Sequence, residues 1–263
     1  MNANPPALDN SRGLSKGKLL LHRGVLIAGL VFITVMAWFY MFYLYVAMPP
    51  MNAAQMAKPN LQPWTSLTFA MMFIMWTVMM VAMMLPSALP TILLFAKLKQ
   101  NQTRQFEVIL FVGAYVALWT AFSFAATLLQ WGLHTRGLLS VMDATNTPIL
   151  GGAVLIVAGI YQWLPLKFVC LNRCRSPLSF LITRWKDGAW GAWQMGLQHG
   201  FYCVACCWAL MLVLFVVGVM NLLWIAILSL YVIVEKLFFK GESGVRIAGA
   251  MLVFWGGWLI AAR

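Results

Sequence analysis

Apolar residues run along this chain in blocks, with polar and basic residues gathered in the short gaps between them. A helix needs about 20 mainly apolar residues to cross a bilayer, and seven blocks approach or exceed that length: 25–48, 65–95, 106–129, 148–168, 191–220, 222–234 extending to 239, and 245–262. The sixth is short and follows the fifth almost at once, so Asn221 is expected to mark a tight turn between them. The pattern predicts an all-α polytopic transmembrane helix bundle of about seven spans, six being the alternative. Residues 1–23 are polar and mildly basic, with Pro5, Pro6, Gly13 and Gly17, and are expected to be a disordered tail. Residues 24–263 are expected to form one transmembrane domain. The first block is longer than the apolar core of a signal peptide, about 7–15 residues, and lacks a small-residue cleavage site; it is expected to be a retained first span.

Composition agrees. The chain is 63% hydrophobic and 9% charged, whereas soluble domains carry roughly 25% charged residues. The formal net charge of +12 would suggest nucleic acid in a soluble protein. Here the basic residues sit beside span ends, the pattern that orients membrane helices, so nucleic acid is excluded as a partner and the lipid bilayer is expected instead. With seven spans and an inside N-terminus, fifteen basic residues fall on the inner side, among them Lys97, Lys99, Arg104, Lys167, Arg173, Arg175, Lys236 and Arg246. Only Lys58, Arg136 and Arg263 fall outside. The expected location is the bacterial inner (plasma) membrane, multi-pass.

Candidate chemistry is concentrated in two cysteine motifs that hold all five cysteines of the chain: "CLNRC", Cys170 and Cys174, and "HGFYCVACCW", residues 199–208. Residues three, four and seven apart share a helix face, which aligns His199, Cys203, Cys206 and Cys207. Cys170 and Cys174 are one turn apart if their stretch is helical. Sulfur and imidazole together suit Cu(I), zinc or an iron–sulfur cluster rather than magnesium or calcium. A lone membrane cysteine is usually packing, but five in two tight clusters favour a ligand or redox role. The apolar stretch from 203 to 220 is about 27 Å long, which puts the second motif near the inner membrane boundary, at about the depth of the first. Gly196 and Gly200 have the spacing that lets a neighbouring helix approach. One shared site is expected on the cytoplasmic side, where disulfides are disfavoured.

The second block adds "MMFIMWTVMMVAMMLPSALP". Met71, Met75, Met79 and Met83 are successive turns apart, as are Met80 and Met84; Pro86 and Pro90 are expected to disturb the end of the span. Adaptable packing is the simpler reading. The sharper one is a row of thioethers favouring Cu(I), with Met80, Met83 and Met84 as candidate ligands. Glu235 is expected to pair locally with Lys236 or to act behind the metal ligands. Asp143, His134 and Arg136 are assigned ordinary solvated roles in an outer loop. Trp64, Trp131 and Trp185 fit interfacial anchors.

The chain resembles the bacterial predicted metal-binding integral membrane proteins, a domain-of-unknown-function family numbered 2182. The resemblance rests on "MWTVMMVAMMLPSALP" (75–90), "YQWLPLKFVCLNRCRSPLSF" (161–180), "GLQHGFYCVACCWALM" (196–211), "VVGVMNLLW" (216–224) and "EK" (235–236). It implies a multi-span membrane protein whose metal pattern falls on Cys170, Cys174, His199, Cys203, Cys206 and Cys207. The family's methionine–proline motif falls on Met79, Met80, Met83, Met84 and Pro86.

Three functions remain open at this level. The first is binding and delivery of a soft transition metal, copper favoured over zinc, with Cys203, Cys206 and Cys207 as ligands and Cys170 and Cys174 as capture ligands. A metal-donor or membrane-complex partner protein would accompany that role. The second is a membrane thiol–disulfide oxidoreductase, since "CVAC" has redox spacing; against it, the expected side is wrong for oxidising exported proteins and Cys207 is surplus. The third is an accessory subunit of a larger membrane complex. Enzyme activity is the less favoured class. The scarcity of carboxylates inside the spans argues against a proton-driven pump.

Overall fold

The computed structural model describes residues 10–47, 63–99, 105–139, 144–145, 147–238 and 241–262, with only the backbone of residues 10–23. Among the described residues the chain is all-helical, with one isolated bridge between Leu139 and Thr145 and no strand. The helices are α1 (Asn10–Ala47), α2 (Ser66–Leu98), α3 (Gln105–Thr135), α4 (Pro148–Tyr161), α5 (Pro165–Arg175), α6 (Pro177–Thr183), α7 (Gly188–Leu212), α8 (Leu214–Val217), α9 (Leu222–Leu237) and α10 (Ser243–Ala261). Five stretches are long and apolar enough to cross a membrane: Gly24–Ala47, Ser66–Leu98, Gln105–Thr135, Gly188–Val217 and Ser243–Ala261. The α4–α5 pair, bent by 65°, makes a sixth if counted as one span.

The difference from the expected seven lies in the fourth and sixth blocks. Pro165 has no N–H to give and disfavours helix in the residue before it; Leu164 accordingly takes an extended conformation, ψ 138°, and the fourth block breaks there. The sixth block, α9, has 16 residues, about 24 Å of helix, against a hydrocarbon core about 30 Å thick. Its expected turn is present. Gly218 adopts φ 95°, Asn221 N–H donates to the Gly218 carbonyl, and the Asn221 side chain accepts from Trp224 N–H to cap α9. At the amino-terminal side, α1 starts at Asn10, inside the stretch expected to be a tail; residues 1–9 lie outside the described set.

The second block departs from expectation at its prolines. α2 starts under a Thr65 cap and runs without interruption through Pro86 and Pro90 to Leu98. Pro86 cannot donate to the carbonyl of Ala82, one turn earlier, and that oxygen accepts instead from Trp38 Nε1 of α1 at 3.2 Å. In an apolar interior a freed carbonyl must find another donor, and α1 supplies it. α2 is the centre of the bundle: Met75, Met79, Met80, Met83 and Met84 are buried, while Met71 at the head of the expected thioether row is exposed.

Close backbone approach fixes the remaining geometry. α4 and α10 run antiparallel, joined at two glycine pairs seven residues apart on each helix. A Cβ on Gly159 would stand 2.6 Å from the Gly249 carbonyl, and one on Gly152 would stand 2.6 Å from that of Gly256. α7 packs on α3 in the same manner: a Cβ on Gly196 would collide with the Phe111 carbonyl, and Gly200 faces Leu118 and Tyr115. The expected role of Gly196 and Gly200 is thus observed. Gly159→Leu should lower the midpoint of thermal unfolding in detergent by forcing α4 from α10, at a cost of about 1–3 kcal/mol or more. Gly257→Leu, where a side chain would meet open space, is the control; equal effects would show that the glycine contact is not what holds the pair.

Candidate metal centre

Four elements converge on one buried point: α2, α3, α7 and α9, with the end of α5 against them. α7 brings His199, Cys203, Cys206 and Cys207 on a single buried face. The Pro165 break turns α5 so that Cys174, near its last residue, reaches the same place. Cys206 Sγ lies 4.0 Å from Cys174 Sγ and 3.3 Å from Cys207 Sγ, and Cys203 is within side-chain reach of Cys174 and Cys207. The two motifs therefore meet across 32 residues of sequence. All five cysteines are free thiols and buried. Cys170 lies one turn before Cys174 on α5, buried, with no hydrogen bond to another thiol among the described residues.

A lysine closes the group. Lys236, near the C-terminal end of α9, donates to Cys203 Sγ at 2.8 Å and to Ser87 Oγ at 3.1 Å. Ser87 Oγ donates in turn to the Met84 carbonyl at 2.8 Å. That carbonyl also accepts from Tyr115 OH at 3.0 Å, and the same hydroxyl lies 3.1 Å from Cys203 Sγ. α2 thus reaches Cys203 indirectly, its carbonyl through Tyr115 and its hydroxyl through Lys236. Met80, Met83 and Met84 are wholly buried in the core around them. His199, one turn before Cys203, is stacked on Tyr115 with ring centroids 5.6 Å apart and on Phe111 at 6.1 Å. Its buried Nδ1 has no hydrogen-bond partner.

Among the described residues, no group of three or more histidine, cysteine, aspartate or glutamate side chains is already placed to hold a metal ion. The reason is visible in the spacing. Sulfurs around one tetrahedral ion with metal–sulfur bonds of about 2.3 Å stand about 3.8 Å apart. The Cys206–Cys207 separation is shorter, at 3.3 Å, and the Cys174–Cys206 separation slightly longer, at 4.0 Å. The donor types nevertheless suit a soft ion: several thiols in one buried place, an unpartnered imidazole nitrogen one turn away, and no carboxylate among them.

Glu235 does not pair with its neighbour Lys236, as expected from sequence. Its Oε1 lies 2.6 Å from Lys167 Nζ of α5, with both side chains fully buried. Lys167 also donates to Gln162 Oε1 in the turn after α4, and Arg175 Nε donates to the Glu235 carbonyl at 3.1 Å. Successive residues on a helix point about 100° apart, so Glu235 faces α5 while Lys236 faces α2 and α7. Lys167, Lys236 and Lys99, all counted as inner-loop charges, are buried in the protein. Lys99 instead pairs with Glu107 at 2.7 Å. His134, assigned a solvated role, is buried on α3 against Trp64; Asp143 lies outside the described residues. Sequence reasoning missed Lys167, Ser87 and Tyr115. The available signal for Lys167 was its place between apolar residues, in "LPLKFV".

The described residues form a helical bundle with several helices long and apolar enough to cross a membrane and with a group of buried thiols at its centre. The comparison with protein families is specific: a profile of the PpoB2 family, described as a copper chaperone, matches residues 73–259. That is well over half of the 263-residue chain, and it spans every cysteine, the methionine run from Met75 onward and Lys236. The chain belongs to this family of copper chaperones, and its role is in copper handling. No curated protein and no solved structure matches it significantly.

Glu235→Gln would leave Lys167 as a buried, uncompensated charge, a loss of about 3–5 kcal/mol. A clear fall in thermal unfolding midpoint is expected, much of it recovered in Lys167→Met/Glu235→Leu, where the pair is replaced by apolar groups. A double variant no better than the single would show that the pair does more than neutralise itself.

Proposed function

We propose that this protein spans the bacterial plasma membrane with its N-terminus inside, binds copper as Cu(I) on the thiols at the centre of the bundle, and passes it to a partner. The observation that carries this is the meeting of Cys174 with Cys206, which itself lies against Cys207, in a chain of a copper chaperone family. Cys203, Cys206, Cys207 and Cys174 are the ligands from which a copper ion draws its first partners. Cys170, one turn back along α5, is a capture ligand on the approach, and His199 a further donor through its unpartnered nitrogen. Met80, Met83 and Met84 offer weaker thioether sites along α2. Copper is favoured over zinc because Cu(I) accepts low coordination by sulfur, and ligand exchange among neighbouring thiols lets it move without being released to water. Glu235 acts behind these groups, anchoring α9 to α5.

Exposed apolar side chains around the bundle, such as Phe39, Phe106, Phe254 and Trp258, support a lipid-facing surface. The α7 thiols lie in the second half of that helix, and Cys174 and Lys236, which meet them, stand at the C-terminal ends of α5 and α9. A metal held there is reached from the side where those two helices end, and the excess of basic residues on that side supports a cytoplasmic placement.

The protein purified without oxidant and loaded with Cu(I) is expected to hold copper that resists a competing chelator. Cys203→Ser/Cys207→Ser and Cys174→Ser/Cys206→Ser should each weaken retention by at least about tenfold, measured by elemental analysis after chelator challenge. Equal copper in wild type and both variants would overturn the proposal. Thiol labelling from each side of the membrane tests the direction of access, and labelling only from outside would reverse the assigned orientation.

A further inference from the structure

We infer that Lys236 is the fixed countercharge of the copper site, matched to a Cu(I) ion held by two thiolates. This rests on the reading of the thiols as the copper site and adds what sets the charge and ligand number there.

The inference starts from the inventory of buried charge. The chain has six acidic residues, and Glu235 is the fully buried one among those described. It is committed to Lys167 at 2.6 Å on the α5 side of α9. The ammonium of Lys236 faces the other way and has no carboxylate partner among the described residues; its partners are Cys203 Sγ and Ser87 Oγ. A buried ammonium without an acid partner is costly, and the electron-rich group at its disposal is sulfur.

Metal-binding cysteines must lose their protons. When Cu(I) arrives by ligand exchange, two Cu–S bonds form on the protein as two break on the donor. The thiol protons pass to the donor ligands that gave up the metal, and no electrons are exchanged. Two thiolates on a monovalent ion carry one net negative charge, which one ammonium at contact distance neutralises. A third thiolate would add a negative charge beyond the one that Lys236, the ammonium in contact with the sulfur, neutralises. Lys236 need not leave for this to happen. A thiolate sulfur has three lone pairs, so Cys203 can accept from the ammonium and bind copper together, in the way hydrogen-bond donors commonly support metal ligands. The competing interpretation makes Lys236 a plug that copper must displace, and the two predict opposite signs when the charge is removed.

The test measures Cu(I) binding by the full-length protein in detergent, against a chelator that buffers free Cu(I). X-ray absorption at the copper edge reports coordination number. Lys236→Met should weaken Cu(I) binding at least about tenfold, and Lys236→Arg, which keeps the charge, should restore most of it. Ser87→Asp leaves the ammonium in place but gives it a carboxylate partner, and should weaken binding in the same direction. That variant carries the test if Lys236→Met does not fold. The wild-type edge should be that of two-coordinate Cu(I). Unchanged or tighter binding in Lys236→Met or Ser87→Asp, with cysteine-dependent binding intact, would overturn this inference and leave the proposed function standing. Three-coordinate copper in the wild type would also overturn it. If the unchanged protein holds no cysteine-dependent copper, the proposed function falls and this inference with it.

Discussion

A buried ammonium must find electron density, and in this bundle Lys236 finds it on the sulfur of Cys203. Much of the central architecture is arranged around that contact. α9 is short but ends at the level of the thiols, with Lys236 almost at its C-terminus. Its neighbour Glu235 is turned to α5 and satisfied there by Lys167, so the thiol group meets a free positive charge rather than an internal ion pair. Tyr115, Ser87 and the Met84 carbonyl complete a hydrogen-bonded chain that fixes where the ammonium and the sulfur sit. Polar groups held in an apolar interior are specific because each unmade bond there is expensive.

The same accounting explains the scaffold. α2 keeps Pro86 in a continuous helix with α1 bringing Trp38 to the carbonyl that this proline leaves without a donor. α3 and α7 can approach until backbone meets side chain because Gly196 and Gly200 present no Cβ to the crossing. That closeness sets Tyr115 beside Cys203. The break at Pro165 turns α5 so that Cys174 arrives beside α7. Three local features, two of them visible as single residue types, thus align the elements on which the thiols ride.

Much of this was legible along the chain. The apolar blocks are long and bounded by polar residues, and the helices observed begin and end within a few residues of most of them. The alignment of His199, Cys203, Cys206 and Cys207 follows from helical spacing and is observed as one buried face. Two things misled. Lysines near span ends look like loop charges, yet Lys167 and Lys236 are buried, because a long side chain can be drawn inward by a partner that periodicity does not reveal. Glu235 followed by Lys236 looks like a local pair, yet adjacent residues on a helix face different neighbours.

The division is therefore between what one helix can specify and what needs several. Sequence by itself determined an all-helical chain of membrane-length apolar segments, the turn at Asn221, the thiol-bearing face of α7 and the sulfur-rich character of the buried cluster, since each depends on residues within a few turns. Only the tertiary structure decided that Cys174 meets Cys206, that Glu235 belongs to Lys167, and that Lys236 rests on Cys203. These contacts join residues 32, 68 and 33 positions apart. They depend on where helices cross, which is set by glycine approach, a proline break and the pairing of buried charge rather than by the period of any single segment.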